Sequence, residues 1–191
     1  EAFRALDGFR VLCALRHGPC GVARLNALIE DILAAAAEHP LRPDREFYSR
    51  RVVMVTRNDY ATRLFNGDVG VVLPADPARP EGAQAVYFPA ETTDAAGGGP
   101  WRRLPCGLLP EHETALATTI HKAQGAEFER VLVLLPEDDS PLLARELVYT
   151  AVTRARRRLD LWCARETFRR AVLRRARRFT GLRELLAGGP P

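Results

Sequence analysis

Five consecutive apolar residues, Val131–Leu135 (VLVLL), constrain this chain more than any other segment. A strand that alternates apolar and polar residues covers one face of a sheet, whereas an unbroken apolar run calls for cover on both. The neighbouring pattern supplies that cover. Ala115–Thr119 reads as a strand, Ala123–Arg130 as a loop or short helix, and Pro141–Arg156 as a helix. Leu159–Cys163 reads as a further strand and Glu166–Phe179 as a basic amphipathic helix. Strand and helix alternating at this spacing predict an α/β fold, a parallel sheet with helices on both faces.

The first half is more mixed. Val11–Leu15 is a short apolar run ended by Gly18-Pro19, a buried strand or a helix end between which periodicity does not decide. From Gly21, residues Val22, Leu25, Leu28, Ile29, Ile32 and Leu33 recur at helical spacing until His39-Pro40. Leu41–Ser49 then reads as a linker, and Arg51–Thr56 (RVVMVT) as a strand buried on both faces. Asn66-Gly67-Asp68 signals a tight turn into a strand at Val69–Leu73, and Ala85–Phe88 is another short strand. The GGG within Thr92–Pro100 marks a mobile loop. Residues 65–110 therefore read as a small β-rich insertion in an α/β domain made of residues 1–64 and 111–191. There is no internal repeat.

Composition bounds the function classes. With 47% hydrophobic and 27% charged residues the chain is ordinary globular material. No apolar run approaches the roughly 18–20 residues that span a bilayer, so no membrane partner is expected. A start at Glu1 without Met is what an excised or processed piece would show. Cys13, Cys20, Cys106 and Cys163 form no CxxC pair and have no histidine at zinc spacing. That predicts neither a structural metal nor a disulfide framework, and a reducing cytoplasm as the setting. The formal charge of +4 comes almost wholly from arginine, concentrated at Arg154–Arg158 and Arg165–Arg178, with Lys122 the one lysine. Guanidinium groups match phosphate, so nucleic acid or nucleotide is a natural partner; solvated helical faces would account for the same charges.

Two segments carry chemistry. Thr118–Phe128 (TTIHKAQGAEF) places hydroxyls, an imidazole and an amide on a turn past the carboxyl end of a strand, where open α/β sheets bind ligands. Gly125 frees the backbone to turn, and Glu127 offers a carboxylate suited to a ribose hydroxyl. Glu146–Leu159 (ELVYTAVTRARRRL) sets Arg154 near a helix end, within reach of an anion held by a neighbouring domain. Each alone is commoner as structure: a polar turn, and arginines complementing a helix dipole.

Together, however, the two segments resemble motifs V and VI of superfamily 1 helicases, and their details favour the RecD branch, the alpha subunit of exodeoxyribonuclease V. Arg10–Arg24 with Leu25-Asn26, Val53–Gly70 (VMVTRNDYATRLFNGDVG), Leu109–Thr114 (LPEHET) and Arg178–Leu186 extend the resemblance over nearly the whole chain, thinning at residues 76–103. It implies a RecA-like, P-loop NTPase-type second motor domain with an SH3-like β-barrel at residues 65–110. It implies further that Arg154 is the arginine finger toward the γ-phosphate. Gly125, Glu127, Gln124 and Arg16 would stand at the ATP, and Thr118, Thr119, His121 and Lys122 along single-stranded DNA. Asn66 and Gly67 set a turn. Trp101 and Tyr87 could stack on a base or pack in a β core.

A nucleoside-triphosphate hydrolase also needs a glycine-rich phosphate cradle and a carboxylate for Mg²⁺. No G-x-x-x-x-G-K-[ST] occurs, and Asp138-Asp139 reads as a solvated turn. The resemblance thus implies a chain inactive alone, completed by an N-terminal RecA-like domain that holds ATP and Mg²⁺, and by RecB-like and RecC-like subunits. In that setting it would translocate 5′ to 3′ in double-strand-break processing. The alternatives are a stand-alone RecD2-like, Pif1-like or relaxase-associated helicase, and a non-catalytic SH3-like binding module. The basic helix at the C-terminus is expected to face solvent or a partner, with Phe168, Val172, Leu173 and Phe179 packed inward.

Overall fold

A computed structural model of the chain describes residues 2–36, 45–90 and 100–176. The helix stop at His39-Pro40, most of the Thr92–Pro100 loop, Phe179 and Arg178–Leu186 lie outside those residues.

The parallel sheet is present, in the order β7-β1-β8-β9, where β1 is Phe9–Cys13, β7 Ala117–Thr119, β8 Phe128–Leu134 and β9 Ala155–Trp162. Val11 lies level with Ala117 on one side and Leu132 on the other, so β1 is central. Successive β1 side chains point to opposite faces. Leu12 joins Val131, Val133, Leu143, Leu147 and Ala171 beneath α3 (Arg145–Val152) and α4 (Arg165–Leu173). Val11 and Cys13 join Val22, Leu25 and Ala117 beneath α2 (Val22–Ala36). Helices thus cover both faces, as the apolar β8 demands.

The second sheet is antiparallel, in the order β5-β4-β3-β2-β6. Its strands are β2 (Val52–Val55), β3 (Val69–Pro74), β4 (Gln84–Pro89), β5 (Trp101–Pro105) and β6 (His112–Thr114). Val53, Val55, Leu64, Val72, Val86, Phe88 and Leu104 form its core. The sheet is wider than residues 65–110, because β2 and β6 flank that segment in sequence and close one side of it. At the Asn66-Gly67 turn Gly67 has φ +104°, a conformation that a side chain disfavours. Trp101 is not core: it stacks on Phe3 of α1 (Ala2–Gly8), ring centroids 4.7 Å apart, and ties the second sheet to the first helix. Tyr87 is half-buried, its hydroxyl donating to the Pro74 carbonyl.

Three local expectations change. The helix expected over Pro141–Arg156 is only Arg145–Val152, because the Thr153 hydroxyl donates to the Tyr149 and Thr150 carbonyls and the chain leaves the helix there. Arg156, Arg157 and Arg158 consequently lie on β9, an edge strand of the sheet whose charged surface discourages further pairing. On α4, Thr167 and Ala171 face inward, while Leu173 is 73% exposed and Phe168 and Val172 are also at the surface. Small residues let α4 approach closely, and the bulky ones are left outside. On α2, only Val22, Leu25 and Asn26 are buried; Leu28, Ile32 and Leu33 stay exposed.

These differences separate core from surface experimentally. Leu12→Ala should lower stability by about 3 kcal/mol in urea denaturation, whereas Leu33→Ala should change it by less than about 0.5 kcal/mol. Burial also pushes the Cys13 thiol from 9.0 up to about 12, with a smaller push from Cys20. A thiol held protonated in the fold gives stability that is complete below pH 9 and declines as pH rises toward 12. Urea midpoints measured across that range should therefore fall more steeply for the native protein than for Cys13→Ala.

Candidate functional site at the two ends of the parallel sheet

The segment Thr118–Phe128 does not sit on one turn. It leaves β7 at Thr119, which lies level with Cys13 and Leu134, and enters β8 at Phe128, six residues earlier on that strand. At about 3.3 Å per residue the connection descends about 20 Å, from the carboxyl end of the parallel sheet to its amino end. The candidate residues divide accordingly.

At the carboxyl end stand Thr119, His121 and Lys122, following β7, and Arg16, following β1. Strand alternation buries Thr118, only 5% exposed, so this residue has no surface to offer a phosphate. The Thr119 hydroxyl accepts the Lys122 backbone N–H at 3.2 Å and shapes the turn that presents His121 to solvent. Arg16 and Lys122 converge on one carboxylate: Arg16 Nη2 lies 2.5 Å from Glu113 Oε2, and Lys122 Nζ 2.8 Å from Oε1. The structure therefore groups Arg16 with the residues expected along DNA.

At the amino end stand Gly125, Glu127 and Arg154. Gly125 has φ +86°, and a Cβ there would meet nothing within 4 Å. Its glycine is required by the backbone conformation alone, not by crowding. Arg154 follows α3 directly and is turned back along it. Nε donates to the Thr150 carbonyl at 3.1 Å, Nη2 to the Thr153 hydroxyl at 3.1 Å and Nη1 to the Ala126 carbonyl at 2.8 Å. The Phe128 N–H in turn donates to the Arg154 carbonyl at 2.8 Å. Both segments singled out in the sequence are thus joined at this end by direct hydrogen bonds. Among the described residues Arg154 has no carboxylate partner, and three of its five N–H donors are engaged, which leaves two for an anion. Glu127 pairs with Arg156 at 3.2 Å, both side chains 54% exposed. An exposed pair is worth well under about 1 kcal/mol, so a sugar hydroxyl could replace it at small cost. Gln124 is exposed on the same loop.

Three residues beyond the candidate list shape this arrangement. Asn26, 6% exposed, donates to the Thr114 and Ala117 carbonyls and accepts the Ala117 N–H at 2.7 Å. Arg10, also 6% exposed, donates to the Ala115 carbonyl at 3.0 Å and lies over the Phe128 ring, 4.9 Å from its centroid. Burial lowers its pKa, against a smaller opposing pull from Asp7. Glu113 is the third. All three lie in segments that carry the resemblance, yet nothing in one sequence says that an Asn on a helix or a Glu before a strand will reach across the fold. Asp138-Asp139, by contrast, is exposed, and the Arg174 guanidinium 2.7 Å away holds the Asp139 carboxyl below its ordinary range.

Comparison with known proteins follows the same outline. Residues 114–161, which span both segments, match the UvrD-like helicase C-terminal domain family. The chain is 43% identical over 182 residues to the RecBCD enzyme subunit RecD of Mycobacterium tuberculosis, covering 95% of this chain and 29% of that protein. It is 34% identical over 186 residues to RecBCD enzyme subunit RecD of Haemophilus influenzae, covering 94% and 25%. With the ATP-dependent RecD2 DNA helicase of Deinococcus radiodurans it shares 34% identity over 149 residues, covering 78% and 19%. The chain thus spans less than a third of the length of these relatives. Among solved structures it is similar to the Bacteroides Pif1 helicase in complex with ADP-AlF3 and ssDNA, with a TM-score of 0.48, 15% identity, and 94% of this chain and 44% of that one covered.

The loop geometry has a direct consequence. Gly125→Ala should cost about 1 kcal/mol through its left-handed backbone, read as a lower melting temperature. Gly125→Asn should cost less, because Asn tolerates that region.

Proposed function

We propose that this chain, which is similar to RecD subunits and to the UvrD-like helicase C-terminal domain, forms the second motor half of an ATP-dependent 5′-to-3′ DNA helicase subunit. In this reading it supplies the arginine finger and part of the single-strand track, and acts in double-strand-break processing. The observation that carries the proposal is Arg154, held by three neutral oxygens, that of Ala126 among them, and without a carboxylate partner among the described residues. A guanidinium anchored in this way is held in orientation, with donors to spare for an anion presented from outside. Neutralising charge on a transferring phosphoryl group is worth about 10³–10⁵ in rate where such fingers act.

The other residues take roles by position. Glu127 and Gly125 stand next to Arg154, with Glu127 exchanging Arg156 for a ribose hydroxyl and Gln124 linking the loop to the other end. Thr119, His121, Lys122 and Arg16 lie along the DNA, where hydroxyl, imidazole and cationic donors suit a track that does not read sequence. ATP is the substrate. Its phosphate cradle and the Mg²⁺ ligands belong to the N-terminal RecA-like domain of the longer protein, and among the described residues no cluster of His, Cys, Asp or Glu suits a metal. Residues 65–110 form the SH3-like 2B insertion, built on the platform of β2 and β6. RecB-like and RecC-like subunits are the partners, a choice favoured over a stand-alone enzyme because the RecD subunits match 95% of this chain and RecD2 78%.

The test is kinetic. In the full-length protein, Arg154→Ala should lower DNA-stimulated ATP turnover by about 10³-fold or more while fluorescent-nucleotide binding changes little. The 191-residue chain alone should show no DNA-stimulated ATPase. Robust turnover by that chain, or an Arg154→Ala enzyme of native rate, would reject the assignment.

A further inference from the structure

Glu113 has no part in the roles above, yet it stands between the two cations at the carboxyl end of the sheet. It lies on β6 opposite Met54 of β2, and so belongs to the antiparallel sheet. Its partners belong to the other: Arg16 follows β1, and Lys122 follows β7. Each carboxylate oxygen serves one cation, Oε2 to Arg16 at 2.5 Å and Oε1 to Lys122 at 2.8 Å. The Glu113 and Lys122 side chains are about a quarter exposed and that of Arg16 is 56% exposed, so solvent reaches the cluster from one side. Lys122 is the chain's single lysine.

We propose that Glu113 is an intramolecular stand-in for a DNA backbone phosphate, gating the hold of Arg16 and Lys122 on the strand. The inference rests on the reading that these two cations lie on the DNA track. A carboxylate and a phosphodiester both present a pair of oxygens sharing one negative charge. The one that sits across Arg16 and Lys122 opposes the other by like-charge repulsion and by occupying the same donors. The strand must displace Glu113 to gain both contacts, and Glu113 recaptures the cations when the strand moves on. A motor that steps along phosphates requires contacts that release as readily as they form. A carboxylate fixed on a neighbouring sheet keeps the hold weak without removing the cations. Glu113 on this account sets affinity and touches no reacting atom.

The test is equilibrium binding of a fluorescent oligo-thymidine to the full-length protein, without nucleotide, at several salt concentrations. Glu113→Gln keeps the shape of the side chain and removes its charge. It should tighten binding about 3- to 10-fold near 0.1 M salt and steepen the log–log salt dependence by about 0.7 for each cation released to a phosphate. Placed in an Arg16→Ala/Lys122→Ala background it should change neither quantity. If the double alanine variant binds more weakly than the native protein but Glu113→Gln leaves binding unchanged or weaker, the gate is refuted while the track reading stands. If the double alanine variant binds like the native protein, the track reading of these cations fails, and the gate with it. Glu113→Asp, too short to reach both partners, should give an intermediate gain and decides the matter in the same way if the Gln variant melts early.

Discussion

The chain passes from one sheet to the other through Thr114–Ala117, and the rest of the structure depends on keeping that crossing dry. A backbone N–H or carbonyl buried away from water must find a partner, and neither sheet satisfies every such group here. Val52 accepts the Ala115 N–H from the antiparallel side. Side chains from the parallel side add further bonds: Asn26 takes the Thr114 and Ala117 carbonyls and the Ala117 N–H, and Arg10 the Ala115 carbonyl. Hydrogen bonds at buried sites are costly to leave unmade, about 1–3 kcal/mol for each orphaned group. Asn26 and Arg10 therefore act as structural joints.

From this crossing the functional geometry runs in two directions. Immediately before it, β6 delivers Glu113 to the carboxyl end; immediately after it, β7 delivers Thr119, His121 and Lys122 to the same place. Arg10 also reaches the other end, where its guanidinium covers the Phe128 ring and Phe128 donates to the Arg154 carbonyl. One connection of eight residues, Ile120–Glu127, carries proposed DNA contacts at one end and proposed nucleotide contacts at the other.

The electrostatics of the two ends differ in kind. At the carboxyl end two cations share one carboxylate, so their charge is partly neutralised and an arriving anion has to compete. At the amino end the Arg154 hydrogen bonds run only to neutral oxygens. Much of the remaining arginine excess is paired at the surface, as in Arg156–Glu127, Arg158–Asp160 and Arg174–Asp139. Such exposed pairs contribute little to stability. They do show that the run of arginines after Arg154 is not one basic patch, since Arg156, Arg157 and Arg158 each have a carboxylate partner.

The linear pattern determined most of the fold, because burial on both faces imposes an unbroken apolar run and burial on one face imposes a period. VLVLL and the start of the helical repeat at Val22 and Leu25 follow that rule, the Asn66-Gly67 turn follows from the backbone freedom of glycine, and all are legible without coordinates. The family likeness was legible too, in TTIHKAQGAEF and VYTAVTRARRRL. Where Pro141–Arg156 was read as one helix, the deciding interactions were a hydroxyl cap at Thr153 and the ladder that β9 forms along β8, and the second is a long-range bond with no local signal. The inward face of α4 was settled by how closely it approaches α3, and the width of the antiparallel sheet by pairing of β2 with a strand nearly 60 residues away. Glu113, Asn26 and Arg10 were visible as letters but not as joints, since their partners lie up to 105 residues distant. The chain's own order thus set which elements form and which side chains are candidates for chemistry. Only tertiary structure, by bringing distant backbone and charge within 3 Å, decided that those side chains stand at two opposite ends of one sheet.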